Sequence, residues 1–377
     1  MNGARDSQHK KVLVIGGAGY IGSELVRQLL ADGFATRVLD CLLFGDQSLR
    51  NLYGHPRFDL CQDDLRRPAD LRRTLRGVYA VIHLGAIVGD RACAVHERAA
   101  WRTNYDGTGT VLDAAGRAGV SRFIFASTCS VYGETDHAAG ESSPLKPLSL
   151  YAETKARAEQ LVLARRVDGL HPAVLRLGTV FGWSARPRFD LAVNWLAAQS
   201  VVETEIVIRN GTQWRPFVHV RDAARAFRLA LGAPLSRVSG QIFNAGSDAL
   251  NLQFSDVEEA IRQDLPGTRV RHEFGGDRRN YRVCFEKIRR VLGFRCERSL
   301  LAGIREIRGK IEERPGIDYS SAVYHNHLIP PPCIELPAEG PPGRGNGRLR
   351  PQVADAEVLA GLTDRDSRGR PPLTGAG

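Results

Sequence analysis

The sequence predicts an α/β protein: a doubly wound parallel sheet, then a smaller α/β domain, then a tail without regular structure. Three observations carry this. The segment KKVLVIGGAGYIGSELVRQLLADG joins a short β-branched run to an amphipathic stretch through a turn of glycines. Comparable apolar runs follow in ATRVLD, VYAVIHLGA, RFIFAST and VLRLG, as expected of strands buried on both faces of a parallel sheet. Beyond Pro330, PPPCIELPAEGPPGRGNGRLRPQ is rich in proline and glycine and has no apolar period, so it buries too little apolar surface to offset its chain entropy. The boundaries are 10–175 for the sheet domain, 176–315 for the second domain, some of whose segments return to the first sheet, and 316–377 for the tail.

Val12 to Ile15 read as the first strand. Ile21, Leu25, Val26, Leu29 and Leu30 then recur at helical spacing, and Gly33 stands where a helix ends. Between them, Gly17, Gly19 and Gly22 fit a GxGxxG pattern while Gly16, Gly19 and Gly22 fit GxxGxxG. Either lets a dinucleotide pyrophosphate approach backbone amides at a helix N-terminus. The second strand, ATRVLD, ends in Asp40. A carboxylate there accepts both hydroxyls of an adenosine ribose and repels a 2′-phosphate, so the expected cofactor is NAD. Arg37 precedes the acid and reads as an ordinary charge. After the third strand, Asp64 and Leu65 stand either at the adenine or as solvated capping residues. The fourth strand, VYAVIHLGAIVGD, ends in small residues that leave room for a ligand at the carboxyl edge of the sheet. Its His83 reads as core, and Asn104 beyond it as polar packing or a support for the cofactor.

The fifth strand delivers Ser127, Thr128, Cys129 and Ser130 at its carboxyl end, a poor set for a core and a good one for holding a hydroxyl or carbonyl oxygen. YAETK follows. Tyr151 and Lys155 share one helical face, so the ammonium is expected to favour the ionised phenol and pull a pKa near about 10 toward neutrality. That pair makes a general base for an alcohol proton.

GGAGYIG, Asp40, HLGA, ASTCSVYG and YAETK, in this order and spacing, resemble the extended short-chain dehydrogenase/reductase family, in particular its nucleotide-sugar epimerases, dehydratases and ketoreductases, over roughly residues 10–310. The resemblance implies a Rossmann-type fold with a substrate domain. It makes Tyr151 the acid/base, Lys155 the residue that lowers the Tyr151 pKa and holds the nicotinamide ribose, and Thr128 the hydroxyl that orients the sugar, with Ser127 as the fallback. Around the NAD it places Gly16, Gly19, Tyr20, Ile21 and Gly22 of the turn, then Asp40, Asp64 and Leu65, then Leu84, Ala86 and Asn104. It implies no metal. In the second half, Asn194, Arg215 and Arg279 are expected to meet a nucleotide-diphosphate sugar, the arginines at its phosphates. Trp214 reads as stacking or core. Relatives usually dimerise through two helices, here those near 96–117 and 151–167, so a homodimer is expected.

The resemblance also narrows the chemistry. Dehydratases of the family carry an Asp-Glu pair after the catalytic Thr; Cys129 and Ser130 stand there instead, which argues against eliminating water. Family members with a cysteine acid place it one residue nearer the glycine, and one step along a strand turns a side chain to the other face, so Cys129 reads as packing. What remains is epimerisation through a transient keto sugar, or reduction of a keto sugar supplied by another enzyme. A catalytically silent NAD-binding scaffold is the expectation from a different class; the retention of Thr128, Tyr151 and Lys155 together speaks against it.

A net charge of +10 does not point to nucleic acid, because the basic residues are spread singly among acids rather than interleaved with aromatics. Mild basicity suits a dianionic nucleotide-sugar. The 7 cysteines show no CxxC pairing and no histidine partners, as suits reduced thiols in a cytoplasm. The first strand begins too early for a signal peptide, and no apolar run approaches the roughly 18 residues of a membrane span, so a soluble protein is expected.

Overall fold

The structure, a computed structural model, describes residues 10–66, 71–165, 169–275 and 279–328. Its main sheet holds seven parallel strands. They are β1 (Lys11–Ile15), β2 (Ala35–Asp40), β3 (Phe58–Gln62), β4 (Val78–His83), β5 (Arg122–Thr128), β6 (His171–Leu177) and, from far along the chain, β10 (Gln241–Ala245). The order is β10-β6-β5-β4-β1-β2-β3. Side-chain alternation explains why the strands read as unbroken apolar runs: Val12 and Val14 pack in the core on one face while Leu13 and Ile15 pack in the core on the other. The same split separates Ile124 and Ala126 from Phe123 and Phe125, so each strand is covered on both sides.

The strand order reverses between β1 and β4, and a crevice opens there at the carboxyl ends. The turn after β1 is shaped for it. Gly16 has φ +79°, and a Cβ there would come within 2.8 Å of the Gly85 nitrogen beyond β4. A Cβ on Gly22 would overlap the Gly16 carbonyl oxygen. The helix Tyr20–Ala31 therefore starts tight against the turn, and Gly33, with φ +89°, closes it.

The second domain has its own core of Phe181, Phe189, Val193, Ile206, Phe217, Ile261 and Ile304. β9 (Trp214–His219) pairs with β7 (Thr179–Phe181) and β11 (Asn251–Gln253), and β8 (Glu205–Arg209) pairs with β12 (Arg269–Glu273). The helix Leu300–Glu312 is not the end of this body. Tyr319 is buried in its core with Ile317 and Tyr324 packed alongside, so the expected tail boundary at 316 falls inside folded chain. The aromatic residues interspersed there supply the apolar surface that the later Pro/Gly stretch lacks. The rest of the expected tail, from 329 on, lies outside the described residues. Among the described residues, no helix is long and apolar enough to cross a membrane.

Candidate active site

A cleft of about 1340 Å³ lies between the carboxyl edge of the main sheet and the second domain. Gly16, Gly19, Tyr20, Ile21 and Gly22 line its floor with Asp40, Asp64, Leu65, Leu84 and Ala86; Thr128, Tyr151 and Lys155 stand at its centre; Arg215 and Arg279 line its far wall. The carboxylate of Asp40 is oriented by two backbone donors, Ala18 N–H to Oδ2 at 2.9 Å and Leu42 N–H to Oδ1 at 2.8 Å. Each oxygen keeps acceptor capacity. Burial raises the Asp40 pKa, while those two amides and Arg186 pull it down. The glycine turn, its open helix start and this carboxylate fit an adenosine diphosphate moiety.

Two expected site residues do not line the cleft. Asn104 is fully buried, and its amide supports the loop beneath: Oδ1 accepts from Ile87 N–H at 2.8 Å, and Nδ2 donates to the Ile87 carbonyl at 3.0 Å and Thr154 Oγ1 at 3.1 Å. Asn194 is spent likewise. Its Oδ1 accepts from Gly182 N–H at 2.9 Å, and its Nδ2 donates to the Arg188 carbonyl at 2.8 Å and to Tyr20 Oη at 3.2 Å. Both amides are engaged by the protein itself, through backbone groups and the hydroxyls of Thr154 and Tyr20, so each positions a loop. Asp64 grips Arg66, with Oδ2 2.5 Å from Nη2.

The helix Leu150–Ala164 sets the centre. Ser149 caps it, accepting from Ala152 N–H at 3.2 Å and donating to Asp90 Oδ1 at 2.5 Å, which fixes Tyr151 at the first turn. On β5, Thr128 Oγ1 lies 2.9 Å from Ser130 Oγ, and both residues line the cleft. Ser127 also lines the cleft, but its hydroxyl is taken by Glu159, to which it donates. Glu159 pairs in turn with Arg176, Oε2 to Nη2 at 2.7 Å, and Arg176 Nη1 donates to Tyr132 Oη at 2.9 Å. This buried group braces the underside of the catalytic strand. Cys129 is fully buried with Sγ 3.2 Å from the Arg176 carbonyl oxygen, and burial pushes its thiol pKa up, so it packs rather than reacts. His83 is core as well; burial lowers its pKa to about 3, helped by Lys155, and Nε2 lies 3.0 Å from Thr108 Oγ1.

The electrostatics differ from the expected lysine effect. Burial raises the Tyr151 pKa, Cys93 adds to it, and the cation opposing the rise is Arg188. Lys155 is itself displaced: burial brings its pKa down to about 7 against the pull of Glu159, and its ammonium sits 4.1 Å from the Phe125 ring centroid. The reason is packing depth, since a lysine 3% exposed pays desolvation before it can stabilise a neighbour's charge. Between the folded value and the ordinary lysine value of 10.5 the unfolded chain binds more protons at this site, so stability rises with pH across that window. Denaturant titrations from pH 7 to 10 should show this rise in the native protein and a flatter profile in Lys155→Met; identical slopes would contradict it.

Sequence reasoning takes SARPRFD as a loop before a helix, within a stretch that shapes the substrate site, and singles out neither Arg186 nor Arg188. Arg188 makes a two-pronged pair with Asp190, Nε to Oδ1 at 2.9 Å and Nη2 to Oδ2 at 2.8 Å, on the cleft wall. Burial works to raise the Asp190 pKa, but Arg188 outweighs it and holds it at about 2. Arg186 stacks 3.6 Å from the Phe44 ring centroid, with Nε and Nη2 buried and unpaired. Alternation of Arg, Arg and Asp before an apolar helix was the available signal. Among the described residues no cluster of His, Cys, Asp or Glu could hold a metal ion.

The description of the NAD dependent epimerase/dehydratase family matches residues 12–246. An uncharacterized UDP-glucose epimerase, YtcB, of Bacillus subtilis (strain 168) is 33% identical over 248 residues, covering 63% of this chain and 76% of that protein. Two solved structures are similar. DesIV, a dTDP-glucose 4,6-dehydratase from Streptomyces venezuelae solved with NAD and TYD bound, superposes with a TM-score of 0.73 at 30% identity, over 81% of this chain and 98% of that one. The UDP-glucuronic acid 4-epimerase from Bacillus cereus, in complex with UDP-glucuronic acid and NAD, gives a TM-score of 0.73 at 26% identity, over 80% of this chain and 99% of that one.

Proposed function

The chain belongs to the NAD dependent epimerase/dehydratase family, and we propose that within it the protein is a nucleotide-sugar epimerase that acts through a transient keto sugar. NAD, when bound, supplies the hydride acceptor. The glycine turn and Asp40 hold it, and Lys155 binds the nicotinamide ribose. Tyr151 takes the proton of a sugar hydroxyl as the carbon beneath is oxidised, and returns it after the keto sugar presents its other face. Thr128 and Ser130 hold the substrate oxygen. Arg215 and Arg279 meet the diphosphate.

The observation that carries epimerisation over dehydration lies at the two positions after Thr128, where elimination needs an acid and a base: Cys129 is buried with Sγ 3.2 Å from the Arg176 carbonyl oxygen, and Ser130 offers only a hydroxyl, 2.9 Å from Thr128 Oγ1. The carboxylates whose charge or salt-bridge partner acts on Tyr151 are engaged. Asp90 is bound by Arg279 Nη1 at 2.5 Å and by Ser149, and Asp190 by Arg188. A homodimer belongs to the same reading.

The test is incubation with UDP- and dTDP-sugars, read by NMR for stereochemistry and by NADH absorbance. Epimers without net NADH are expected. Stoichiometric oxidation of added NADH would mean a keto-sugar reductase, and a 6-deoxy-4-keto product a dehydratase; either sinks the proposal, as does bound NAD with no turnover.

A further inference from the structure

The residues after the last long helix play no part in the chemistry assigned to Tyr151, yet they reach the same cleft. Ser320, His325, Asn326, His327 and Leu328 line it together with Tyr151 and Thr128. Aromatic contacts anchor the segment. The Tyr319 ring lies 4.9 Å from that of Trp195, Tyr324 lies 5.3 Å from Phe189, and His325 lies 5.8 Å from Trp195, all edge to face. The Phe189 N–H also donates to the Tyr324 carbonyl at 3.1 Å. Held this way, Asn326 touches both walls. Its backbone N–H donates to Asp190 Oδ2 at 3.1 Å on the second-domain side, and its Nδ2 donates to the Val88 carbonyl at 3.3 Å on the sheet side.

The bond to Val88 settles which way the carboxamide faces, because a carbonyl accepts only from the amide nitrogen. Oδ1 is then an acceptor. It is buried with no hydrogen-bond partner, in a residue only 8% exposed. An acceptor in that state is unfavourable until a donor reaches it. The neighbouring groups do not supply one. Asp190 is an acceptor already held by Arg188, and the His327 ring packs edge to face on His325.

We propose that Ile317–Leu328 is a strap that completes the sugar end of the cleft, and that Asn326 is a specificity-determining residue whose Oδ1 accepts a hydroxyl proton from the hexose ring of the nucleotide-sugar. The proposal rests on the nucleotide-sugar reading given above. It adds a contact from a segment that would otherwise pass for tail. It also assigns the two ends of the substrate to different elements: the diphosphate to Arg215 and Arg279, the sugar to the strap.

Binding rather than turnover tests it. The full-length protein, its NAD content measured, is titrated calorimetrically with UDP-glucose, dTDP-glucose and UDP-glucuronic acid, and with free UDP and dTDP. For the sugar that the native protein binds, Asn326→Ala should weaken affinity by about tenfold, the loss of one hydrogen bond from a buried acceptor. Affinity for the free nucleotide and the NAD content should not change. If Asn326→Ala does not fold, His327→Ala, at a half-buried neighbour that lines the same wall, should lower sugar affinity with the same pattern. Unchanged sugar affinity overturns the strap alone, as does an equal loss for nucleotide-sugar and free nucleotide, which marks a structural role. A native protein that binds no nucleotide-sugar overturns the strap and the epimerase reading together.

Discussion

Tyr151→Phe is expected to lower turnover by roughly 10²–10⁴-fold, the usual contribution of a positioned acid/base, while NAD content and melting temperature stay near those of the native protein. The substitution removes one oxygen and keeps the ring. The helix start survives it, because the cap is made by Ser149 and not by Tyr151. The cleft keeps its shape, because Thr128, Ser130 and Lys155 hold their own contacts. Activity measured on the sugar that the native enzyme inverts, beside NAD absorbance of the purified variant, decides the matter: full activity removes Tyr151 from the chemistry. Arg188 supplies a graded companion to this variant. It is the cation that opposes the burial-driven rise in the Tyr151 pKa, so Arg188→Met is expected to move the alkaline limb of the pH–rate profile upward.

The second large effect is on stability. Glu159→Ala leaves Arg176 as an uncompensated charge whose side chain is 3% exposed, and breaking a buried pair in this way costs about 3–5 kcal/mol. Replacing both partners by apolar residues, as in Glu159→Met with Arg176→Leu, should cost less than the single change, because no charge is then left without a partner. Urea unfolding of the three proteins measures it. Equal losses for the single and double variants would show that the pair's charges are not what matters. The same change frees Ser127, whose hydroxyl Glu159 holds, so the carboxyl end of β5 should lose order along with stability.

Much of this architecture was legible because it rests on short-range demands. A turn that brings Gly16 against Gly85 admits no side chain, so glycine has to stand there and the pattern shows. A strand buried on both faces has to be apolar where it is covered, as Val12–Ile15 of β1 and Phe123–Ala126 of β5 are. Tyr151 and Lys155 share a helix face by spacing alone. The failures have one cause. Asn104 and Asn194 carry amides that look the same in sequence whether they meet a ligand or a backbone loop, and only the fold reveals that Ile87, Gly182 and Arg188 take them. The lysine effect on Tyr151 failed for a related reason, since helical spacing says nothing of how deeply Lys155 is buried beside Phe125. The strap was invisible because its anchors, Trp195 and Phe189, are more than a hundred residues away in the chain from Tyr319 and Tyr324; without them 317–328 reads as the start of the Pro/Gly stretch. Ser130 was legible as one of four small polar residues suited to a substrate oxygen, whereas Arg188 was in plain view and stood only as part of a loop.

The account stands on the claim that one carbon of a nucleotide-sugar is oxidised and reduced again within the same cleft. The direct measurement is conversion of a nucleotide-sugar deuterated at the carbon that inverts, run in ordinary water without added cofactor and followed by NMR and mass spectrometry. The account predicts that the deuterium is retained on that carbon in the epimer, with no NADH released. Loss of the label to water, or its transfer into free reduced cofactor, would contradict it.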